Sequence, residues 1–248
     1  MPHAKKVRSH PAHERPTTST PSTPPNMPIS NLRKPPAPKR RVADLAYDRI
    51  EAMISKLVIA PGSLIVEAEV ADMTQLGRTP VREALMRMVS SGLIEQQPRR
   101  GLRVSNIDVV DHLDLIETRR ALETLIATCS ARRATSVQRK ALVACAKKMI
   151  LASERGDLDD YMTADQELDN VNHEACCNFS AVKAVVPLVV QCRRFWYRYQ
   201  AEGEITEGAR FHLMLAEAIA TGNEAQAATA ASQLMDYLER FTRRVINA

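Results

Sequence analysis

From about residue 107 to the C-terminus the apolar residues of this chain recur only at helical spacing, and no strand-like run interrupts them. Six amphipathic segments can be marked, at roughly 109–133, 138–154, 158–177, 180–201, 207–221 and 224–246. Each must bury its apolar stripe, and six such helices on short links leave a compact antiparallel bundle as the economical solution. Pro187 is expected to kink the fourth helix.

Upstream the pattern changes. Ala46, Ile50, Met53, Ile54 and Leu57 share one helical face, which Pro61-Gly62-Ser63 ends, and a short second helix fits 67–75. A third is predicted to begin at Thr79, a good N-cap, with Pro80 in the first helical position where its missing N–H costs nothing. Gly92 ends it. Ile94 to Gln97 and Leu102 to Ser105 then read as short strands, joined by Pro98-Arg99-Arg100-Gly101, which suits a tight turn. Three short helices and a hairpin make a winged helix-turn-helix. The expected fold is therefore mainly α, with a winged helix-turn-helix over 42–106 and an all-α six-helix antiparallel bundle over 107–248.

Charge is distributed unevenly. The chain has a formal net charge of +5, yet residues 1–41 carry nine Lys or Arg against Glu14 alone, so this segment holds +8 and the remainder about −3. Ten of the fourteen prolines also lie at or before Pro38. Such a segment buries too little apolar surface to offset its ordering entropy, so 1–41 is expected to be a disordered basic tail. It either adds salt-sensitive attraction to DNA or is an extension without a role.

Five cysteines (Cys129, Cys145, Cys176, Cys177, Cys192) show no paired metal-ligand spacing and are read as reduced, small apolar residues. The first residues lack a signal-peptide stretch, and no run of about 18 apolar residues occurs, so a cytoplasmic protein without membrane association is expected. There is no P-loop, no G-x-G-x-x-G, no G-x-S-x-G and no paired Glu-x-x-His, which argues against an enzyme.

On the third helix Val81, Ala84, Leu85, Met88 and Val89 line one face and leave Thr79, Arg82, Glu83, Met86 and Arg87 on the other, with Arg78 just before it. Arginine's planar fork can bind guanine in the major groove or clamp a phosphate. Arg78 and Arg82 lie one turn apart and can enter one groove. The alternative is a merely solvated face. The adjoining turn with Arg99, Arg100 and Gly101 favours the DNA reading, because it is placed as a wing that reaches phosphates or a minor groove.

These residues also carry a resemblance. PGSLIVEAEVADMTQLG at 61–77, RTPVREALMRM at 78–88 and SGLIEQQPRRGLRV at 91–104 resemble the winged helix-turn-helix of the GntR family of bacterial transcription regulators. The resemblance implies DNA contacts from Arg78, Thr79 and Arg82, with Arg87 on the same face and the wing tip near Arg100 and Gly101. Gly77 stands where many members have Ser, and Ala68 where some have a DNA-contacting Arg.

The rest is similar to the all-helical FCD effector domain of the FadR-like branch. The similarity is carried by ETRRALE at 117–123, DQELDNVNHEACCN at 165–178, RRFWY at 193–197, HLMLAEAIATGN at 212–223 and LMDYLERFTR at 234–243. It implies a ligand-responsive homodimer on a palindromic operator, acting as a repressor, with a small carboxylate as effector. It also implies a metal held by one Asp and three His. Asp165 matches the Asp and His212 one His; Asp169 and Leu234 occupy the other two positions, with Asp236 and Tyr237 the nearest polar residues to the last. The candidate ligands of one divalent ion are thus Asp165, Asp169 and His212.

A physical reason supports a cation there. Carboxylates at i and i+4 on a helix repel by roughly 0.2–0.5 kcal/mol, which a cation between them would relieve. The alternative is that Asp165, Asp169 and His173 form a hydrated rim. Arg119 sits among Leu115, Ile116 and Leu122, so its charge needs a partner: an effector carboxylate, or Glu123 four residues on. Arg194 and His212 complete the candidate effector site, whereas Phe195 and Trp196 read as core. A constitutive DNA-binding dimer without an effector is the competing function, and a metal-dependent enzyme a remoter one.

Overall fold

The computed structural model describes residues 41–200 and 204–247; apart from Arg41, the expectation for segment 1–41 lies outside the described residues. Helix α1 (Val42–Ser55) opens on the Arg41 amide, which donates to Asp44 at 3.2 Å. It is followed by β1 (Leu64–Ile65), α2 (Glu67–Thr74), α3 (Arg78–Ser90), β2 (Ile94–Gln97) and β3 (Gly101–Val104). The strands form an antiparallel sheet in the order β1-β3-β2, with Ile94 opposite Val104 and Gln97 opposite Gly101. At Arg99 and Gly101 the backbone turns through positive φ, 64° and 86°.

Two details depart from the sequence expectation. Helix α3 starts at Arg78 with Gly77 as its N-cap, two positions before the expected N-cap Thr79, and makes no side-chain cap bond. Pro80 still falls among the first amides that lack an intrahelical partner, so it is tolerated there too. The wing also gains β1, whose Leu64 and Ile65 pair with Arg103 and Leu102. Two residues are too few to show an alternation.

The head closes over Ile50, Ile54, Val81, Leu85, Met88, Leu93 and Ile94, all buried, and one residue from far along the chain, Val190, belongs to the same cluster. Six further helices make the bundle: α4 (Val109–Arg133), α5 (Ser136–Glu154), α6 (Leu158–Cys176), α7 (Phe179–Tyr199), α8 (Glu204–Thr221) and α9 (Glu224–Ile246). Their starts are chemically marked. Asp108, Asp157, Asn178 and Asn223 each accept from an amide of the following first turn, and Thr135 forms a capping box with Gln138. These caps explain why α5 and α7 begin slightly before the apolar periodicity. Pro187 lies inside α7, which stays helical from 179 to 199.

Helix α4 is central, packing on α6, α7, α8 and α9. Head and bundle belong to one compact unit. Lys56, the C-cap of α1, pairs with Asp159 of α6 at 2.7 Å, and the Tyr197 hydroxyl donates to the same carboxylate at 3.0 Å. Gln191 Nε2 donates to the Gly92 carbonyl at 3.3 Å.

Candidate functional site

Arg78 and Thr79 open α3 and are exposed, as is Arg82 one turn on. The fork of Arg82 reaches back to α2, with Nε and Nη2 donating to Glu67 Oε2 at 2.9 and 2.7 Å. The Arg82 guanidinium holds the Glu67 carboxyl below its ordinary pKa. An exposed pair of this kind adds little stability and yields to a competing anion. Arg78, Arg99 and Arg100 have no ion pair within 4.0 Å among the described residues. Because α3 has no side-chain cap, its first amides are also open to an anion. Arg87 differs: its Nη1 lies 2.8 Å from Asp44 and its guanidinium 4.6 Å from the centre of the Tyr47 ring. It ties the far end of α3 to α1, about 13 Å along the axis from Arg78.

The second site lies within the bundle. Side chains of α4, α6, α7, α8 and α9 enclose a cavity of about 30 Å³, room for one or two water molecules. Its polar lining is Arg119, Tyr161, Asp165, Arg193, His212 and Tyr237, with Trp196 and Val189 among the apolar walls. Arg193 donates from Nε to Asp165 Oδ2 at 2.9 Å and from Nη2 to Asp169 Oδ2 at 2.7 Å. His212 Nε2 is 3.1 Å from Asp165 Oδ1, and its Nδ1 is 2.8 Å from the Gly208 carbonyl. Arg119 and Glu123 form a buried pair, with Nε and Nη2 at 2.9 and 2.8 Å from Oε1. Of the two partners left open for Arg119, this structure shows Glu123.

Electrostatics follow from these contacts. Burial pushes the Asp165 carboxyl up, but Arg193 and His212 outweigh it and hold its pKa well below the ordinary range. Burial, then the neighbouring Asp165 charge, push Asp169 up. Burial pulls His212 down, but its bond to Asp165 outweighs this and leaves it raised. Three carboxylates thus face two guanidiniums and an imidazole drawn toward its protonated form, and the cluster is close to electrically closed. Gly208 permits this packing: a Cβ there would meet the Tyr161 hydroxyl at 2.7 Å and Tyr237 at 3.2 Å.

Compared with known proteins, residues 43–104 match the family described as bacterial regulatory proteins, gntR family, and residues 114–237, half the chain, match the FCD domain. The chain belongs to the GntR family.

This GntR protein is 31% identical over 137 residues to the HTH-type transcriptional repressor RspR of Escherichia coli K12, covering 55% of this chain and 58% of that one. It thus spans little more than half the length of that relative. To a regulator in the TAR-I ttuE-ttuC' intergenic region of Agrobacterium vitis it is 30% identical over 124 residues, covering 49% of this chain and 72% of the other. Among solved structures, E. coli McbR/YncC superposes with a TM-score of 0.74 at 17% identity, covering 84% of this chain and 99% of that one. At that identity the likeness concerns the fold. The matched families, a GntR head and an FCD domain, are those of transcription regulators and not of enzymes. No helix among the described residues is long and apolar enough to cross a membrane.

The metal that the FCD resemblance implies does not fit the residues present. Asp165, Asp169 and His212 do converge, yet the cation between the carboxylates is Arg193. A divalent ion within about 4 Å of that guanidinium would meet a repulsion of several kcal/mol. Leu234 is buried and offers no donor atom, Asp236 is paired with Arg120 at the surface, and Tyr237 lines the cavity. No group of three or more His, Cys, Asp or Glu that could hold a metal exists among the described residues. His173, with its Nε2 unpartnered, is not among the cavity residues.

Arg194, expected in the effector site, lies elsewhere. It is fully buried and donates to the Ser105 hydroxyl at 2.9 Å, to the Ser105 carbonyl and to Gln191 Oε1 at 2.6 Å, with Nε unpartnered. Burial lowers its pKa to about 10. The cavity residue is its neighbour, Arg193. Helical spacing held the signal: Val189, Cys192, Arg193 and Trp196 share the cavity stripe, whereas Arg194 follows four residues after Val190, which packs in the head. Gly208 was also missed, and a single glycine in a helical run carries no sequence signal of a close approach.

Proposed function

We propose that this regulator binds a palindromic DNA operator as a homodimer, acts as a repressor, and changes its operator affinity when a small carboxylate metabolite enters the bundle cavity. The observation that carries the reading is on α7, where Arg193 lines the cavity and the next residue, Arg194, holds Ser105 at the junction of head and bundle. A ligand that repositions α7 therefore acts on the head through one rigid element. In the present arrangement the cavity holds about 30 Å³, so a carboxylate enters only as Arg119, Glu123 and their neighbours yield. It would bind one arrangement far better than the other, which is the requirement for a switch.

At the DNA, Arg78, Thr79 and Arg82 enter the major groove, with Arg82 leaving Glu67, while Arg100 and Gly101 follow the backbone or minor groove. Operator symmetry mirrors the two-fold of the dimer. Exposed apolar side chains on the bundle, Leu125 and the 82% exposed Phe179, are of the kind a second copy covers. The repressor reading follows the name of RspR.

The test is a titration of a duplex from upstream of the protein's own gene, and of an unrelated duplex, at two salt concentrations, with and without a panel of small carboxylates. Preference for the first duplex that weakens with one acid supports the proposal. Equal, steeply salt-dependent binding of both duplexes would sink operator reading. The internally paired charges of the cavity favour a second reading, a constitutive dimer whose cluster is structural. A thermal-shift screen separates the two, since a ligand of the folded state alone raises its melting temperature.

A further inference from the structure

We propose that the Arg193 guanidinium is the resident cation of the bundle cavity, occupying the place of a metal ion, so that this protein holds its effector without one. The inference rests on reading the cavity as the effector site.

Most of the donor atoms a metal would need are already committed. Asp165 uses Oδ1 toward His212 and Oδ2 toward Arg193, and Asp169 uses Oδ2 toward Arg193. His212 faces a carbonyl oxygen with Nδ1 and a carboxylate oxygen with Nε2. Both neighbours are acceptors, so both ring nitrogens carry hydrogen when both bonds are made, and no lone pair is left for a metal. Arg193 meets the same electrostatic need from a fixed point: its side chain is only 12% exposed and spans two carboxylates one helical turn apart.

A guanidinium differs from a metal in what it offers a ligand. Nε and Nη2 are engaged, and Nη1 hydrogen-bonds nothing among the described residues. Its two N–H groups, with the second N–H of Nη2, are the donors of the fork left for an effector oxygen. Arg193 also lines a second small cavity, about 40 Å³, between α1 and α6 with Glu51, Ser55, Lys56 and Tyr197. The cation that meets the effector is therefore one that also borders the head, which a metal buried among ligands would not do.

The experiment measures metal content of the full-length protein, and its melting temperature with and without Zn²⁺, Ni²⁺ and Mn²⁺, for wild type, Arg193→Gln, Arg193→Lys and Asp165→Asn. The wild type should carry far less than one metal ion per chain and show no shift with any of the three. Arg193→Gln should melt about 5–10 °C lower, because it strips a buried carboxylate pair of its counter-charge, and Arg193→Lys should regain part of the loss. Uptake of a metal by Arg193→Gln alone would also support the proposal.

About one metal ion per wild-type chain, lost in Asp165→Asn, would overturn it. So would an Arg193→Gln protein that melts with the wild type and takes up no metal. If Arg193→Gln does not fold, Arg193→Lys decides: folded and metal-free supports the proposal, metal-loaded overturns it. None of these readouts uses an effector, so failure of every carboxylate to alter DNA binding would sink the effector reading and leave the metal result standing.

Discussion

The two arginine clusters of this protein use the same side chain under opposite conditions. On the head, Arg78 and Arg82 stand in water, and the Arg82 pair with Glu67 is held by a side chain 68% exposed. In the bundle, Arg119 and Arg193 are largely enclosed, with each engaged charge facing a fixed partner. An exposed pair exchanges partners readily, which suits a surface that meets DNA. A buried pair resists exchange because a lost partner leaves a charge without water. On the proposed reading the head binds by exchanging one exposed ion pair, whereas the cavity would respond only to a ligand that replaces what it removes.

Stability measurements on single variants can break this comparison. The largest expected effect is Glu123→Ala, which leaves Arg119 buried and unpaired. Urea denaturation should show a loss of about 3–5 kcal/mol. A loss near zero would mean that Arg119 reaches water and the cavity is not closed. Gly208→Ala should cost about 1–3 kcal/mol, because its new methyl group must displace the Tyr161 and Tyr237 hydroxyls. Calorimetry would expose the opposite case, a rise in melting temperature from ordinary helix propensity, if the tyrosines move freely.

His112 sharpens the comparison through pH. It stacks on Phe195 at 3.9 Å, and burial, with the nearby Arg119 charge, depresses its pKa to about 3 from an ordinary 6.5. Below pH 6.5 the unfolded chain takes up a proton that the folded chain refuses, so stability falls with pH through this window toward about 3. Between pH 6.5 and about 5 the contribution is about 1.5 kcal/mol, and His112→Phe should flatten the profile by that amount. An unchanged slope would assign the acid sensitivity to other groups. The smallest effect on stability belongs to Arg82→Ala, whose melting temperature should match the wild type while preference for the operator over an unrelated duplex drops about tenfold. A clear fall in melting temperature would move Arg82 from the reading surface to the scaffold.

The sequence by itself determined the architecture. Period 3.6 in six successive segments and the helix-helix-helix-hairpin order upstream are local properties, written in which residues are apolar and where Pro, Gly, Asp, Thr and Asn stand. Side-chain roles were legible only where the geometry is local. That Arg78, Thr79 and Arg82 share one end of a helix follows from spacing, and spacing offered Glu123 to Arg119 as the alternative to an effector carboxylate. What the tertiary structure decided is which of two adjacent arginines faces the cavity. It also decided that the cation between Asp165 and Asp169 comes from a helix 24 residues away from Asp169, and that a two-residue strand completes the wing. The physical reason is that consecutive residues on a helix point about 100° apart, so a single packing angle of α7 against α6 and the head sends Arg193 and Arg194 to different neighbours. No local pattern encodes that angle; it is set by how all the apolar stripes are buried at once.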